Sequence, residues 1–253
     1  MASYPPRKHV LLQAIASLSP QVDRLCLVLN EYQEIPKELA QFKNLDPVIP
    51  EEDVKDIGKF YFPAEPDDFV ALVDDDFRYP SDYIARAQDL CGQAGMDDNV
   101  FGYLGLAWKF KKQKNAHGWN FFSAMKETKH MMGVEILGTG VSFVLGKNMP
   151  DWDFAKGALG YADIRFGNWM YRQGLKAWAL PKPADYLENL TDDALFETSL
   201  FNQFSMRQAR ELTGIWKERK IAAVAEMQSF LGKAEHINMR FESYQRKTRN
   251  STA

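Results

Sequence analysis

Apolar residues recur along the chain with helical spacing in some segments and as unbroken runs in others. The helical spacing predicts a first helix over residues 8–19 and a later one over residues 80–90. The unbroken runs at residues 22–30 and 69–73 are typical of strands buried on both faces of a sheet. A strand at 69–73, followed by a loop and a helix, predicts half of a βαβ unit.

Strand-like patterns continue in the middle of the chain, at residues 99–110 and 133–145. They enclose a polar stretch, residues 111–129, which predicts a loop or a lid. A helix is expected over residues 161–173, and a short strand is expected over residues 175–180.

Residues from about Asp192 onward have a helical pattern with few breaks. We therefore predict an α/β domain over residues 1–190, built on a mixed, mostly parallel sheet. A helical C-terminal extension over residues 191–253 is expected to pack on it.

The composition excludes several classes of protein. With 253 residues, 45% hydrophobic and 26% charged, the chain is neither disordered nor fibrous. A net charge of -3 provides no overall positive field, so we expect no nucleic-acid partner. The chain has no signal-peptide pattern and no apolar run long enough to span a membrane, and its two cysteines are far apart. We expect a cytoplasmic location.

Three consecutive aspartates, Asp74, Asp75 and Asp76, follow the second buried run. Like charges so close together raise one another's pKa, so a cation should compensate them. Mg²⁺ and Mn²⁺ do this well, and they combine one or two carboxylates with the oxygens of a diphosphate. The alternatives are a capped loop that faces water, or a phosphatase of the haloacid-dehalogenase type, from whose pattern Arg78 departs.

Other polar residues lie where they could meet a ligand. Asp56 could accept a hydrogen bond from a base or ribose, and Lys59 could bind a phosphate, although their segment also fits a solvated turn. Gly138 and Thr139 lie in a Gly-Thr-Gly segment that allows close approach of backbone to ligand, or else forms a bulged strand. Asp163 begins a helix, either as a site carboxylate or as a cap.

Basic and histidine residues supply further candidates. Residues 108–114 place four lysines among two aromatic rings, which suits a polyanionic sugar chain but also fits a solvated loop. His117, His130 and His236 could each add a metal ligand, although isolated histidines usually do not. The basic tail at residues 233–249 could dock a partner or a membrane face, or could be a frayed terminus.

An ordered set of short motifs runs through the chain. The motifs are Met-Ala-Ser-Tyr-Pro-Pro-Arg-Lys at 1–8, Gln-Val-Asp at 21–23, Leu-Asn-Glu at 29–31, Glu-Ile-Pro at 34–36, Pro-Val-Ile-Pro at 47–50, Lys-Asp-Ile-Gly-Lys-Phe at 55–60, Asp-Asp-Asp at 74–76 with Tyr-Pro at 79–80, and Leu-Gly-Thr-Gly at 137–140. Together they resemble GT-A glycosyltransferases, in particular the α-N-acetylglucosaminyltransferases of bacterial heparosan capsule synthesis. The resemblance is close over about the first 85 residues, returns at 137–145 and 161–171, and fades beyond about residue 185.

The resemblance implies a Rossmann-like GT-A fold and a specific reaction. GlcNAc would pass from UDP-GlcNAc, with an Mn²⁺ or Mg²⁺ ion, to the nonreducing glucuronic acid of a growing polysaccharide. The α-1,4 linkage would retain the configuration of the donor. A glucuronyltransferase that alternates with this chain is the implied partner protein. Peripheral association with the cytoplasmic face of the inner membrane would fit that role.

The resemblance also implies roles for single residues. Those that would bind the nucleotide or the donor sugar are Ser3, Tyr4, Arg7, Asp56, Lys59, Asp74, Asp75, Gly138 and Thr139. Among them, Asp56 would reach the uracil. Asp76 would hold the metal ion with Asp74, and Asp163 and Asp75 would act at the reacting centre.

The chain departs from the family at one notable place, where Leu104-Gly105 stands instead of the expected His-Gly pair. This departure concerns the sugar or acceptor pocket. Three alternatives therefore stay open: a transferase with a different UDP-sugar or acceptor, a catalytically silent glycan-binding subunit, and a nucleotide-sugar hydrolase or phosphatase.

Overall fold

A computed structural model describes residues 1–109, 118–192 and 195 of the chain, and these belong to a unit that spans Met1–Asn202. The strands among these residues are β1 (Ala2–Ser3), β2 (Leu25–Leu29), β3 (Leu45–Val48), β4 (Phe69–Val73), β5 (Phe77–Arg78), β6 (Asn99–Gly102), β7 (Gly105–Lys109), β8 (Gly118–Phe122), β9 (Met132–Val134), β10 (Ile136–Leu137), β11 (Val141–Leu145), β12 (Lys176–Ala179) and β13 (Glu188–Asn189). The α-helices are α1 (Lys8–Leu18), α2 (Tyr83–Ala94), α3 (Trp152–Ala155) and α4 (Ala162–Arg172). Short 3₁₀ helices lie at Pro5–Arg7, Ser19–Gln21, Lys37–Gln41, Lys55–Phe60 and Gly146–Asn148.

Two sheets carry most of the architecture. β1, β2 and β3 form a parallel sheet with β2 in the centre. A five-stranded mixed sheet has the order β4-β11-β6-β12-β9. Smaller antiparallel sheets are formed by β10-β7-β8 and by β13-β5. The described residues therefore form a mixed α/β domain.

The expected mostly parallel sheet is confirmed for the three-stranded sheet and wrong for the five-stranded one. In the latter, β6 and β12 are parallel, whereas β11 is antiparallel to both β4 and β6. Because β11 lies between them, β4 and β6 run in the same direction without touching. The predicted βαβ unit from β4 through α2 to β6 thus exists in a split form, which a pattern of local hydrophobicity cannot reveal.

The core lies on both faces of these sheets, which explains the unbroken apolar runs of the buried strands. On β2, Leu27 and Leu29 pack on one side with α1 and α2, and Val28 packs on the other side. On β4, Val73 and Leu72 divide in the same way. The second face is covered by α4 and by the 3₁₀ helix Lys55–Phe60. Helices therefore cover both faces of the strands.

The predicted helices over 8–19, 80–90 and 161–173 are confirmed as α1, α2 and α4, with ends shifted by a few residues. The predicted loop at 111–129 is wrong in part, because residues 118–122 form β8 and pair with β7. β8 itself is largely aromatic, with Trp119, Phe121 and Phe122, a strand-like composition that the polar residues around it obscured. The extension expected over 191–253 lies almost wholly outside the described residues.

Cys91 is buried, Cys26 is half-buried, and both are free thiols. Among residues 1–109, 118–192 and 195, no helix has the length and apolarity needed to cross a membrane.

Gly146 lies directly after β11, where the backbone of another segment packs closely against it. A Cβ atom at this position would lie 1.8 Å from the carbonyl oxygen of Glu65, and the Gly146 amide donates to the Asp68 carbonyl at 2.9 Å. Gly146→Ala should therefore lower the free energy of unfolding by about 2–4 kcal/mol in urea titrations, because the backbone has to move.

The matched control is Gly92→Ala in α2, where a Cβ atom meets nothing within 4 Å. Alanine is a better helix former than glycine, so this variant should gain about 0.5–1 kcal/mol. Equal effects of the two substitutions would contradict the close contact at Gly146.

Candidate functional site

The ends of several strands place polar residues at one site. Asp74 directly follows β4, and its amide donates to the carbonyl of Gly140 at 3.1 Å, just before β11. In the parallel sheet, Ser3 ends β1 and Asn30 follows β2, with the Asn30 amide donating to the Ser3 carbonyl at 2.9 Å. Carboxyl ends of parallel strands are where open α/β sheets bind ligands.

Two cations of the chain divide the three aspartates between them. Lys59 forms an ion pair with Asp74. The Nη1 atom of Arg7 lies 2.6 Å from Oδ1 of Asp75 and 3.0 Å from Oδ2 of Asp76. The cationic compensation expected from the sequence is thus supplied in part by the protein itself.

Both cations stay charged although they are largely buried. Burial lowers the pKa of Lys59, but Asp74 and Asp163 outweigh it, so that this pKa rises above its usual value. Burial also lowers the pKa of Arg7, and Asp75 and Asp76 likewise raise it further. Each ammonium or guanidinium group is therefore a fixed positive charge beside the acidic loop.

The three carboxylates respond differently to this arrangement. Burial tends to raise the pKa of Asp74, but Lys59 and Arg7 hold it below its usual value. Burial raises the pKa of Asp75 despite the opposing effect of Arg7. Burial, followed by the charges of Asp74 and Asp75, raises the pKa of Asp76 to about 6. The three carboxylates therefore carry more negative charge than Lys59 and Arg7 neutralise, and the raised pKa of Asp76 reflects this excess.

A divalent cation fits this excess of carboxylate. The Oδ1 atom of Asp76 is buried and has no hydrogen-bond partner, so one hard oxygen ligand remains available. In the described part of the chain, no group of three or more His, Cys, Asp or Glu side chains could hold a metal by itself. A metal here would need further ligands from a bound molecule, as Mg²⁺ usually does.

Asp163 supplies a fourth carboxylate close enough to Lys59 to raise the pKa of that lysine. Oδ1 of Asp163 accepts hydrogen bonds from the amide of Thr139 at 2.7 Å and from its hydroxyl at 2.6 Å. Lys59 donates to the same hydroxyl at 3.3 Å. Burial raises the pKa of Asp163, although Lys59 and Thr139 oppose this. Asp163 is therefore held by another loop rather than acting as a cap of its own helix, α4.

Asp56 has a clear structural role. Its two carboxylate oxygens accept from the backbone amides of Gly160 at 2.6 Å and Ala162 at 2.9 Å, where α4 begins. This anchors the start of α4 to the 3₁₀ helix Lys55–Phe60, which also carries Lys59. The expected contact between Asp56 and uracil stays a prediction.

The N-terminal candidates lie beside Arg7. The guanidinium carbon of Arg7 is 5.6 Å from the centroid of the Tyr4 ring, a cation-π contact. Ser3 is buried, and its hydroxyl helps to lower the pKa of Asp75 against the larger effect of burial. The structure thus brings Ser3, Tyr4 and Arg7 to the acidic loop, and their expected contact with a nucleotide stays a prediction.

Two glycines of the Leu-Gly-Thr-Gly segment owe their identity to close neighbours. A Cβ atom at Gly140 would lie 1.7 Å from Oδ2 of Asp74, so only glycine leaves room for that carboxylate. A Cβ atom at Gly138 would lie 2.6 Å from Cδ2 of Leu104. Leu104 stands where the resemblance predicts a histidine, and it lies directly against Gly138, which is predicted to bind the sugar.

Three positioning residues were not predicted. Asn30 accepts from the Val54 amide and donates to the Lys55 carbonyl, both at 3.0 Å, and so holds the segment that leads to Lys59. The Tyr79 hydroxyl lies 2.9 Å from both the amide nitrogen and the carbonyl oxygen of Asp74.

The third is Thr191, whose hydroxyl donates to Oδ2 of Asp76 at 3.1 Å. Asn30 and Tyr79 occur in the motifs of the sequence, but their partners depend on the tertiary fold. Thr191 carries no local signal at all.

Several other candidates are not brought to this site. His130 is exposed, and His117 and His236 lie outside the described residues. The basic segment 108–114 also falls largely outside them, as does the tail 233–249. Their expected roles stay predictions.

The raised pKa of Asp76 has a measurable consequence for the stability of the fold. Its charged form is penalised in the folded state, because the pKa is about 6 there and about 4 in an unfolded chain. Asp76→Asn should therefore raise the free energy of unfolding by about 1–3 kcal/mol near pH 7. The gain should shrink as the pH falls through about 6 and vanish below about 4, where the aspartate is protonated in both states.

Urea titrations at several pH values would measure this effect. Asp153→Asn is the matched control, because Asp153 is exposed and its pKa is lowered by a hydrogen bond with Lys156. This control should give no gain. A loss of stability in Asp76→Asn near pH 7 would mean that Arg7 neutralises Asp76 fully.

The double hydrogen bond between Thr139 and Asp163 can be tested in the same way. Thr139→Val removes the hydroxyl and leaves a buried carboxylate with one donor fewer. The expected loss is about 1–3 kcal/mol in the free energy of unfolding. Thr139→Ser keeps the hydroxyl and should lose much less. Similar losses in the two variants would assign the effect to packing of the methyl group instead.

No protein-family model matches the chain, and a search of curated proteins found no significant match either.

Proposed function

We propose that this chain is a metal-dependent glycosyltransferase of the GT-A fold that transfers GlcNAc from UDP-GlcNAc to the nonreducing glucuronic acid of a heparosan-like capsular polysaccharide. One observation supports this most. Residues from four separate segments, all assigned to the donor site by resemblance, meet around Lys59 and Arg7 at the ends of β1 and β4. Such a gathering is expected if the segments share one ligand.

The donor site would use residues whose chemistry suits a nucleotide diphosphate. Lys59 and Arg7 are fixed cations within reach of phosphate oxygens. Tyr4 lies against Arg7 and offers a ring face to a base or ribose. Gly138 and Thr139 would border the donor sugar, with Leu104 packed against Gly138.

Asp76 and Asp74 would hold the Mn²⁺ or Mg²⁺ ion. The unpartnered Oδ1 of Asp76 and the excess of carboxylates over cations support this assignment. Such an ion supplies neutralisation of the charge that grows on the leaving diphosphate. Thr191 and Arg7 would orient the Asp76 carboxylate, since both contact its Oδ2.

A retaining transfer needs no base on the face opposite the leaving group. The chain's task is then to position the acceptor and stabilise charge. Asp163 is suited to this because Thr139 fixes one of its oxygens through two hydrogen bonds. Asp75, paired with Arg7, would line the same reacting centre. If the transfer inverts configuration instead, Asp163 is the candidate general base.

The proposal includes a partner and a location. A glucuronyltransferase would supply the acceptor end that this chain extends, since the polymer alternates two sugars. Work at the cytoplasmic face of the inner membrane, through peripheral association, would suit a polymer that is later exported.

Two other candidates are favoured by specific observations. Leu104 packs against Gly138. The resemblance predicts a histidine at position 104, so a leucine there favours a different UDP-sugar or acceptor. Arg7 binds both Asp75 and Asp76, and this favours a catalytically silent glycan-binding subunit in which a protein cation replaces the metal.

A donor screen tests the proposal directly. Full-length protein would be incubated with Mn²⁺, short glucuronate-terminated heparosan oligosaccharides and a panel of UDP-sugars, with products identified by mass spectrometry. We expect one added HexNAc from UDP-GlcNAc alone. Asp76→Ala should reduce the transfer rate about a hundredfold or more, because it removes a ligand that stabilises developing charge.

Asp97→Ala is the matched control, since Asp97 is exposed and pairs only with Lys147 among the described residues. Its rate should equal that of the wild type. Transfer from another donor would select the first alternative. Saturable oligosaccharide binding without transfer, insensitive to UDP and Mn²⁺, would select the silent subunit. Sugar release in the absence of acceptor would select a hydrolase.

A further inference from the structure

Two arginines of α4 share one aromatic ring outside the candidate site. The guanidinium carbon of Arg165 lies 5.1 Å from the centroid of the Phe154 ring, and that of Arg172 lies 5.2 Å from it. Trp169 packs against the same ring, with 5.1 Å between centroids. Phe154 belongs to α3, so the contact joins two helices. We call Arg165, Arg172 and Phe154 the arginine pair site.

Neither arginine has an anionic partner among the described residues. The carboxylates on and beside α3 are engaged: Asp151 accepts from the Phe154 amide at 2.7 Å, and Asp153 pairs with Lys156 at 2.5 Å. The Nε atom of Arg165 is buried and has no acceptor. Burial and the neighbouring charge of Arg172 lower the pKa of Arg165. Two like charges are thus held together without compensation.

Two other stacked arginines of this protein are neutralised, whereas Arg86, 5.5 Å from the centroid of the Tyr186 ring, has no ion pair among the described residues. Arg24 lies 5.6 Å from the centroid of the Phe62 ring and pairs with Asp46. Arg7 lies over Tyr4 and pairs with Asp75. What distinguishes Arg165 and Arg172 is that two guanidinium groups share one ring, so that each repels the other. An anion from outside the chain would relieve their repulsion.

We propose that the arginine pair site binds the uronate carboxylates of a polysaccharide, as a second subsite for the growing chain. This inference rests on the proposed function, which supplies the polymer. Planar guanidinium groups bind carboxylates through paired hydrogen bonds, and two such groups around one ring can hold one uronate or two successive ones.

The position of the site on α4 agrees with this role. The helix begins beside the candidate site, where Asp163 contacts Thr139, and Arg165 lies within the same turn. Successive helical residues are rotated by about 100°, so Arg165 and Asp163 project from different faces. The arginine pair site therefore lies near the candidate site along the chain but on another face of α4, so a polymer bound there would leave the donor site free.

Binding of oligosaccharides of increasing length tests the inference. Full-length wild type, the double variant Arg165→Gln/Arg172→Gln and the control Arg24→Gln would be titrated calorimetrically with a heparosan disaccharide and octasaccharide, and with UDP. In the wild type the octasaccharide should bind more tightly than the disaccharide. The double variant should bind the octasaccharide about tenfold more weakly, since charge-assisted contacts are lost. Its affinity for the disaccharide and for UDP should be unchanged.

The outcomes separate this inference from the proposed function. Unchanged octasaccharide affinity in the double variant, or an equal loss in Arg24→Gln, would overturn the subsite. So would a double variant that loses binding only to anionic phospholipid vesicles, since the ligand would then be a membrane. Absence of sugar transfer together with length-dependent binding that requires Arg165 and Arg172 would leave the subsite standing and overturn the transferase.

Discussion

Lys59 and Arg7 divide the aspartates of the loop after β4, and the surrounding structure is organised around these two pairings. Lys59 stands on the 3₁₀ helix Lys55–Phe60, and Arg7 stands at the start of α1. Each cation therefore ties the acidic loop to a different part of the chain. A group of adjacent carboxylates is unstable by itself, so its presence requires these contacts.

The cations are effective because the backbone around them is fixed. Asn30 holds the segment of residues 54–55 that precedes Lys59, and Tyr79 and Gly140 hold the backbone of Asp74. These three residues make no ion pair, but they decide where the charges meet. Precise placement of charged groups usually depends on such supporting hydrogen bonds.

Much of the fold could be predicted from the sequence, and the reason is local. Helical spacing defined α1 and α4, and the strands buried on both faces appeared as unbroken apolar runs. The insertion of β11 between β4 and β6 could not be predicted, because strand pairing joins residues that are distant in sequence. β8 was missed because its short aromatic run, Trp119, Phe121 and Phe122, lies inside a longer polar stretch.

The candidate site, like the fold, could be predicted from the sequence only where the signal is local. The aspartates, Lys59 and Asp163 were found because their residue types and their motifs are visible in the sequence. The sequence also implied a compensating cation, but it could not show that Arg7 and Lys59 supply part of it, since their partners come from other segments. Thr191 was missed for the same reason.

The pairing of β4 with β11 also governs the order in which the protein can be assembled. β4 is made early, yet β11, its neighbour in the five-stranded sheet among the described strands, is made much later, after β6, β7 and β8. Thr191, which holds Asp76, is separated from it by 115 residues. During synthesis the acidic loop therefore lacks its contacts with β11 and Thr191 until these later segments have been made. Such long-range closure is slow, so the charged loop is completed among the last parts of the domain to fold.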